Sequence, residues 1–316
     1  MVVCQFRRWL LTLKISVVFF PCLMANPCFS ENIGVVRGDE RVTIRLDQQM
    51  LCRYKYGSVP WKPYVEELYT PAGVNILRDA PSDHLHHHGL MFAIKVDGVN
   101  FWEEATSPGL QKTEDTWDVQ SSQNSLQSHG GFTTRITWIN SADSSVLLKE
   151  ERTLWLAVNP EPKATVLGWK SRFTLPEGKD AAELTGTNYH GLGMRFLVSM
   201  DKDGAFLNSD GQTGVEGTND KKSPWCAYSA LADNRPVTVA MFDHKDNPRF
   251  PATWFTMTQP FAYLSATLNL SREPLPVKKG EDLVLRYLLV LMDGQMNADA
   301  IRTIGTKWLD QPFEIK

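Results

Sequence analysis

The chain has 316 residues, is 42% apolar and carries a formal net charge of −3. That composition supports a substantial core, and all-β folds of this length occur as one domain. Lysines and arginines are scattered rather than gathered into a basic stripe, which argues against a nucleic-acid partner.

The N-terminus has the form of a secretory signal. Arg7 and Arg8 supply a basic start, and "ISVVFFPCLMA" follows Lys14, with cleavage expected after Ala25 or Ser30. The apolar run is shorter than the ~20 residues of a spanning helix. The expectation is therefore a signal peptide over 1–30, one domain over 31–316, a secreted or periplasmic protein, and no membrane association after processing. Removing that segment leaves Cys52 and Cys226, too few for a disulfide scaffold or a thiolate zinc site. Whether the two bridge depends on a distance the sequence does not give.

From Arg41 onward the pattern is strands and turns. "RVTIRL" alternates, and "LMFAIKV" leads through Asp97-Gly98, a hairpin signal, into "VNFW". "GFTTRITWI", "SVLLKEERTLWLAV", "TVLGWKSRFTL", "PVTVAMF" and "LVLRYLLVLMDG" share a β-branched and aromatic character. "NPEPK" should turn a wide antiparallel hairpin, and residues 208–220 read as a long loop. One helix is expected near the C-terminus, capped by Asn297, with Ile301, Ile304, Trp308 and Leu309 at helical spacing before Pro312. The fold class is all-β, a large antiparallel β-sandwich with a short C-terminal helix.

The chemistry concentrates in "DHLHHH", where His84, His86, His87 and His88 follow Asp83. On a strand, His84, His86 and His88 would share a face; in a loop that alternation fails. Imidazoles this close suppress one another's protonation. Some should be neutral at pH 7, able to accept a proton or to bind a divalent metal ion through His84, His86 and His87. Asp83 can orient one ring. His190 in "TNYHGLGMRF" and His244 in "MFDHKDNPRFPATWF" lie where strand ends could bring them to the same place. Arg195 and Arg249 sit in or beside apolar segments, where a charge needs a partner or a ligand. Trp102 and Trp254 near turns could stack on sugar rings, or simply fill the core. No nucleophile elbow and no phosphate-binding glycine loop occurs.

"DHLHHHGLMFAIKVDGVNFW", "YHGLGMRF" and "FDHKDNPRFPATWF" resemble, in that order, segments of the bacterial PmoA family, and the likeness covers essentially the mature chain. The resemblance implies a domain of unassigned function, often secreted by bacteria that degrade polysaccharides. It carries over to Asp83, His84, His86 and His87, and to Asp243, His244, Asn247, Pro248 and Arg249.

The expectation is a secreted carbohydrate-active enzyme of galactose-mutarotase-like, two-sheet architecture, with epimerase-, lyase- or hydrolase-type chemistry. His84, His86, His87 and His244 would act as acids and bases, oriented by Asp83 and Asp243. Arg249, Asn247, His190, Arg195, Trp102 and Trp254 would bind substrate, a carbohydrate or other small molecule. Two alternatives stay open: a metal-dependent His/Asp hydrolase or oxygenase, and a non-catalytic carbohydrate-binding protein.

Overall fold

The computed structural model describes Met1 and residues 32–59, 61–104, 107–122 and 129–311. The chain divides into two compact units, Met1–Ser30 and Glu31–Lys316, and the strands and helices of the described residues belong to the second. Apart from Met1, the segment read as a secretory signal lies outside the described residues.

The strand Leu283–Asp293 shows how the layers arise. Its run is apolar at nearly every position, so it needs cover on both faces. Leu285, Tyr287, Leu289 and Leu291 enter one core cluster, while Leu288, Val290 and Met292 enter another. The strand lies between Arg235–Asp243 and Ala164–Thr174 in an eight-stranded antiparallel sheet. That sheet runs outward through Val146–Asn159 and His129–Asn140 to Gly109–Ser122 on one side. On the other it ends at Trp225–Ala232 and Ala205–Asn208. The expected wide hairpin forms, in register from Lys149 opposite Thr174 to Asn159 opposite Ala164.

A second eight-stranded sheet packs on its inner face. Its order is Ile33–Arg37, Arg41–Leu46, Gln49–Lys55, Tyr64–Leu68, Leu90–Ala93, Gly191–Arg195, Tyr263–Thr267 and Thr253–Met257. Aromatic rings join the layers, with Phe92 5.5 Å from Phe173 and Tyr54 5.0 Å from Phe132. The outer face of the first sheet is covered by the helix Ala298–Leu309. Asn297 caps it as expected, its Oδ1 accepting from the Ala300 N–H at 2.9 Å. Gly305 allows close approach, since a Cβ there would lie 2.2 Å from the Phe242 ring. This is the antiparallel sandwich with a C-terminal helix that the strand pattern implied.

Three local expectations change. "LMFAIKV" is not one strand: Leu90–Ala93 belongs to the second sheet, and Lys95–Val96 to a small four-stranded one. The Asp97-Gly98 turn forms, with φ of 49° and 81°, but its return strand stops at Asn100. The Asn100 Oδ1 accepts from the Trp102 N–H at 2.9 Å, turning the chain so that Trp102 is 1% exposed. The stretch 208–220 contains a short helix, Gly214–Thr218, rather than loop alone. Cys52 and Cys226 are buried and free, so no bridge joins them.

An ion pair stands inside the sandwich. Glu150 and Arg152, neighbours on one face of the long hairpin, both have fully buried side chains. Arg152 donates twice to Glu150 at 2.8 and 2.9 Å, and also to Tyr54, Gln111 and the Pro63 carbonyl. Glu150 accepts further from Trp138 and Ser171. Removing one partner of such a pair strands the other charge. Arg152→Met should lower unfolding stability in urea by about 3–5 kcal/mol. A loss under about 1 kcal/mol would mean that the pair does not hold the sheets together.

Candidate functional site

The histidine segment is neither strand nor straight loop. His84 N–H donates to the Pro81 carbonyl, His87 N–H to that of His84, and Ala80 N–H to that of His87, each at 2.9 Å. These successive turns bring His84, His86 and His87 to one side. Leu85 points away, 66% exposed. Gly89 lets the chain enter the sheet, because a Cβ there would lie 2.1 Å from the Val65 carbonyl oxygen. The rings of His84 and His87 stack at 4.6 Å and 24°, and His86 meets His87 edge-on at 4.6 Å.

The three rings line a cleft of about 340 Å³, together with Glu103 and Met257. Its walls are aromatic: Trp102, Tyr189, Phe255, Phe261 and Tyr263. Apolar walls around a few polar groups are typical of small-molecule sites. Behind Trp102 lies His190, stacked on it at 5.1 Å and 14°, fully buried, with neither ring nitrogen hydrogen-bonded. His190 is thus a support for the cleft wall rather than part of the lining.

Burial pushes the His87 pKa down to about 3, helped by the neighbouring His86, His84 and Arg195. Burial does the same to His190, also to about 3. His86 is lowered by burial, then by Lys62 and His84, against the opposing pull of Glu104 and Glu103. Glu103 is held in place, its carboxylate accepting from Asn100 at 2.6 Å and from the Tyr189 hydroxyl at 3.2 Å.

His88 turns the other way. Its Nδ1 lies 2.8 Å from Asp79 and its Nε2 2.9 Å from Glu104, and its ring stacks on Tyr64 at 4.3 Å. Glu104 also accepts from buried Lys62 at 2.6 Å, and Asp79 from the Tyr64 hydroxyl at 2.8 Å. Burial alone would lower the His88 pKa, but the hydrogen bonds to Asp79 and Glu104 outweigh it and raise it. Burial works against ionisation of both carboxylates too, yet their partners, His88 foremost, leave both pKa values lowered. The loop thus separates two chemistries: paired charges beneath, and the rings of His86 and His87, with lowered pKa values, facing the cleft.

The other expected site residues lie elsewhere. Asp83 contacts His84 at 3.2 Å and Arg195 at 3.6 Å. Arg195 is 1% exposed, with its guanidinium 3.3 Å over the Phe261 ring, and lies beneath the wall rather than in it. Asp243, His244, Asn247 and Arg249 do not line the cleft. The Asn247 amide bonds Asp243 and the backbone of Arg286, closing a turn. Burial raises the Asp243 pKa to about 7 and lowers that of His244. Arg249 donates to the carbonyls of Leu268, Glu273 and Pro274, a clamp between backbone segments. Trp254 is 1% exposed and donates to the Ser223 carbonyl.

Among the described residues no group of three or more His, Cys, Asp or Glu side chains is disposed to hold a metal ion. Nor, among the described residues, is any helix long and apolar enough to cross a membrane. Sequence reasoning missed Lys62, Asp79, Tyr189, Phe255, Met257, Phe261 and Tyr263. A lysine between Trp61 and Pro63 was the clearest available signal, since a charge in that setting needs a partner.

The network beneath the loop has a definite pH signature. His88, raised in the fold, contributes stability that is complete below its unfolded pKa of about 6.5 and fades as pH rises through the folded value. Asp79 and Glu104, lowered in the fold, contribute above about 4 and lose it as pH falls. The stability advantage over His88→Gln in urea titrations should be largest between about pH 5 and 6.5 and shrink toward pH 9. An advantage that grows with pH would contradict the charged state assigned to His88.

No curated protein matches the chain. Among solved structures it is similar to the galactosidase domain of α-galactosidase-sucrose kinase AgaSK, at 9% identity and a TM-score of 0.44, over 83% of this chain and 42% of that one. It is also similar to the GH36 α-galactosidase AgaA from Geobacillus stearothermophilus, at 9% identity and TM-score 0.44, over 83% and 41%. A galactose mutarotase related enzyme from Lactobacillus acidophilus follows at 9% and 0.24, over 84% and 100%. The chain spans about two fifths of the α-galactosidases' length, and likenesses of this order bear on no residue of the site. The resemblance to the PmoA family is overturned: the family model that matches is a different one, and no match names PmoA. The roles it implied for Asp83–His87 and Asp243–Arg249 therefore rest on geometry alone. The matching model spans residues 41–304, and the protein belongs to that family, the family of unknown function DUF6807.

Proposed function

We propose that the histidine cleft binds a carbohydrate and acts on it by proton transfer. The observation that carries this reading is the set of three imidazoles, His87 among them held neutral by burial, against a wall of aromatic rings. A neutral imidazole offers one donor and one acceptor, which suits a sugar hydroxyl that must do both. Aromatic faces cover the apolar C–H side of a sugar ring.

The roles divide by basicity. His87, with a pKa of about 3, is too weak a base to remove protons near neutrality and serves as a hydrogen-bonding group. Burial, Lys62 and His84 lower the pKa of His86 while Glu104 and Glu103 oppose them, and His86 is the proton carrier. Glu103, fixed by Asn100 and Tyr189, is its acidic partner in the cleft. Isomerisation, elimination and hydrolysis all need such a pair. The metal-dependent alternative is not favoured, because among the described residues no group of three or more His, Cys, Asp or Glu side chains is disposed to hold a metal ion. We also place the protein outside the cytoplasm, on the strength of the basic and apolar segment before Asn26. Fractionation with mass measurement tests this: exported protein starting near Asn26 or Glu31 supports it, and protein that stays in the cytoplasm with Met1 intact contradicts it.

Turnover of immobilised and free glycans should fall on the order of 10²–10⁴-fold in His86→Gln and Glu103→Gln, with unchanged melting temperature. His244→Ala, outside the cleft, should keep turnover within about twofold of the parent, far below that range. Sugar binding with no turnover in the parent would leave a binding protein. Full activity in both cleft variants would refute the assignment.

A further inference from the structure

We infer that the polar hollow on the far side of Phe255 is a second sugar subsite, so that the ligand spans at least two rings; this rests on the carbohydrate reading of the histidine cleft. The hollow has a volume of about 190 Å³ and shares Phe255 with the cleft. A second link is the turn at residues 188 and 189, where Asn188 lines the hollow and Tyr189 the cleft.

The strand between them sets the spacing. Thr253–Met257 is the edge strand of its sheet, and alternation puts Thr253, Phe255 and Met257 on one side. Trp254 and Thr256 are buried, bonded to Ser223 and Thr218, and Trp254 also borders the hollow. Thr253 lines the hollow and Met257 the cleft, about 13 Å apart at ~3.3 Å per residue. One sugar ring does not reach across that span.

The lining differs in kind from that of the cleft. Asn188, Asn219 and Asn269 bring amides, and Thr253, Thr267 and Ser271 bring hydroxyls. The charges there, Arg272 and Asp220, are paired with each other at 2.5 Å. A charged ligand would compete with that pair, whereas amides and hydroxyls offer neutral donors and acceptors together. Several are already fixed. Asn219 Oδ1 accepts from the Thr256 N–H at 3.2 Å, which leaves its amide nitrogen for a ligand. Thr267 donates to the Thr253 carbonyl at 2.7 Å and accepts from the Asn269 N–H at 3.3 Å. This chemistry matches the hydroxyl groups of an uncharged sugar ring adjoining the one held by the histidines.

The test measures binding of full-length protein to free and immobilised glycans of one to six rings, built from common hexoses and pentoses. Glycans of two or more rings should bind about tenfold or more tightly than single sugars, as one or two added hydrogen bonds would give. Asn188→Ala combined with Ser271→Ala, both exposed positions, should remove that gain and leave single-sugar affinity unchanged. Equal affinity for one and two rings, or a gain that survives the double variant, overturns the subsite while the cleft reading stands. No binding to sugars of any length overturns both.

Discussion

The ion pair of Glu150 and Arg152 is the constraint on which the molecule is arranged. Two opposite charges sit between apolar sheets, where each is tolerable only if every hydrogen-bonding position is filled. Filling them fixes the sheets against each other. Tyr54 and the Pro63 carbonyl come from one layer, Trp138, Ser171 and Gln111 from the other. The same bonds reach the site. Pro63 lies between Lys62 and Tyr64, both in the network under His88. Gln111 donates to the carbonyl of Phe92, on the strand that leaves the histidine loop.

From that frame the cleft follows by separation of charge. Lys62, Glu104, His88 and Asp79 alternate in sign, so the charges nearest the loop neutralise one another below it. What remains above is a crowd of imidazoles held close by turns, and burial favours the neutral forms of His86 and His87. Arg195 adds to this effect from under Phe261. The arrangement costs stability, since His190 and His87 keep buried nitrogens without hydrogen bonds. Buried polar groups left unsatisfied in this way are common where a protein has been shaped for a ligand rather than for packing.

Much of the fold was legible because its signals are local. The Asp97-Gly98 turn, the Asn297 cap and the long hairpin each follow from a few neighbouring residues. The histidine cluster was also visible, but its geometry was not. The choice between strand and loop decides whether His88 joins His84 and His86, and only the turn hydrogen bonds at Ala80, His84 and His87 settle it. The expected convergence with Asp243, His244, Asn247 and Arg249 needed long-range placement, and those side chains instead serve a turn and a backbone clamp. Phe255, Phe261 and Tyr263 were missed for the same reason: an aromatic residue on a strand gives no sign of whether it faces the core or a cleft.

The central claim is that a sugar ring sits in the histidine cleft. A crystal structure of the protein grown with an oligosaccharide tests it most directly. The account predicts one ring against the aromatic wall, with hydroxyls within ~3.2 Å of His86 and Glu103, and the chain continuing past Phe255. Oligosaccharide density confined to another face, for instance the 243–249 turn, would contradict it.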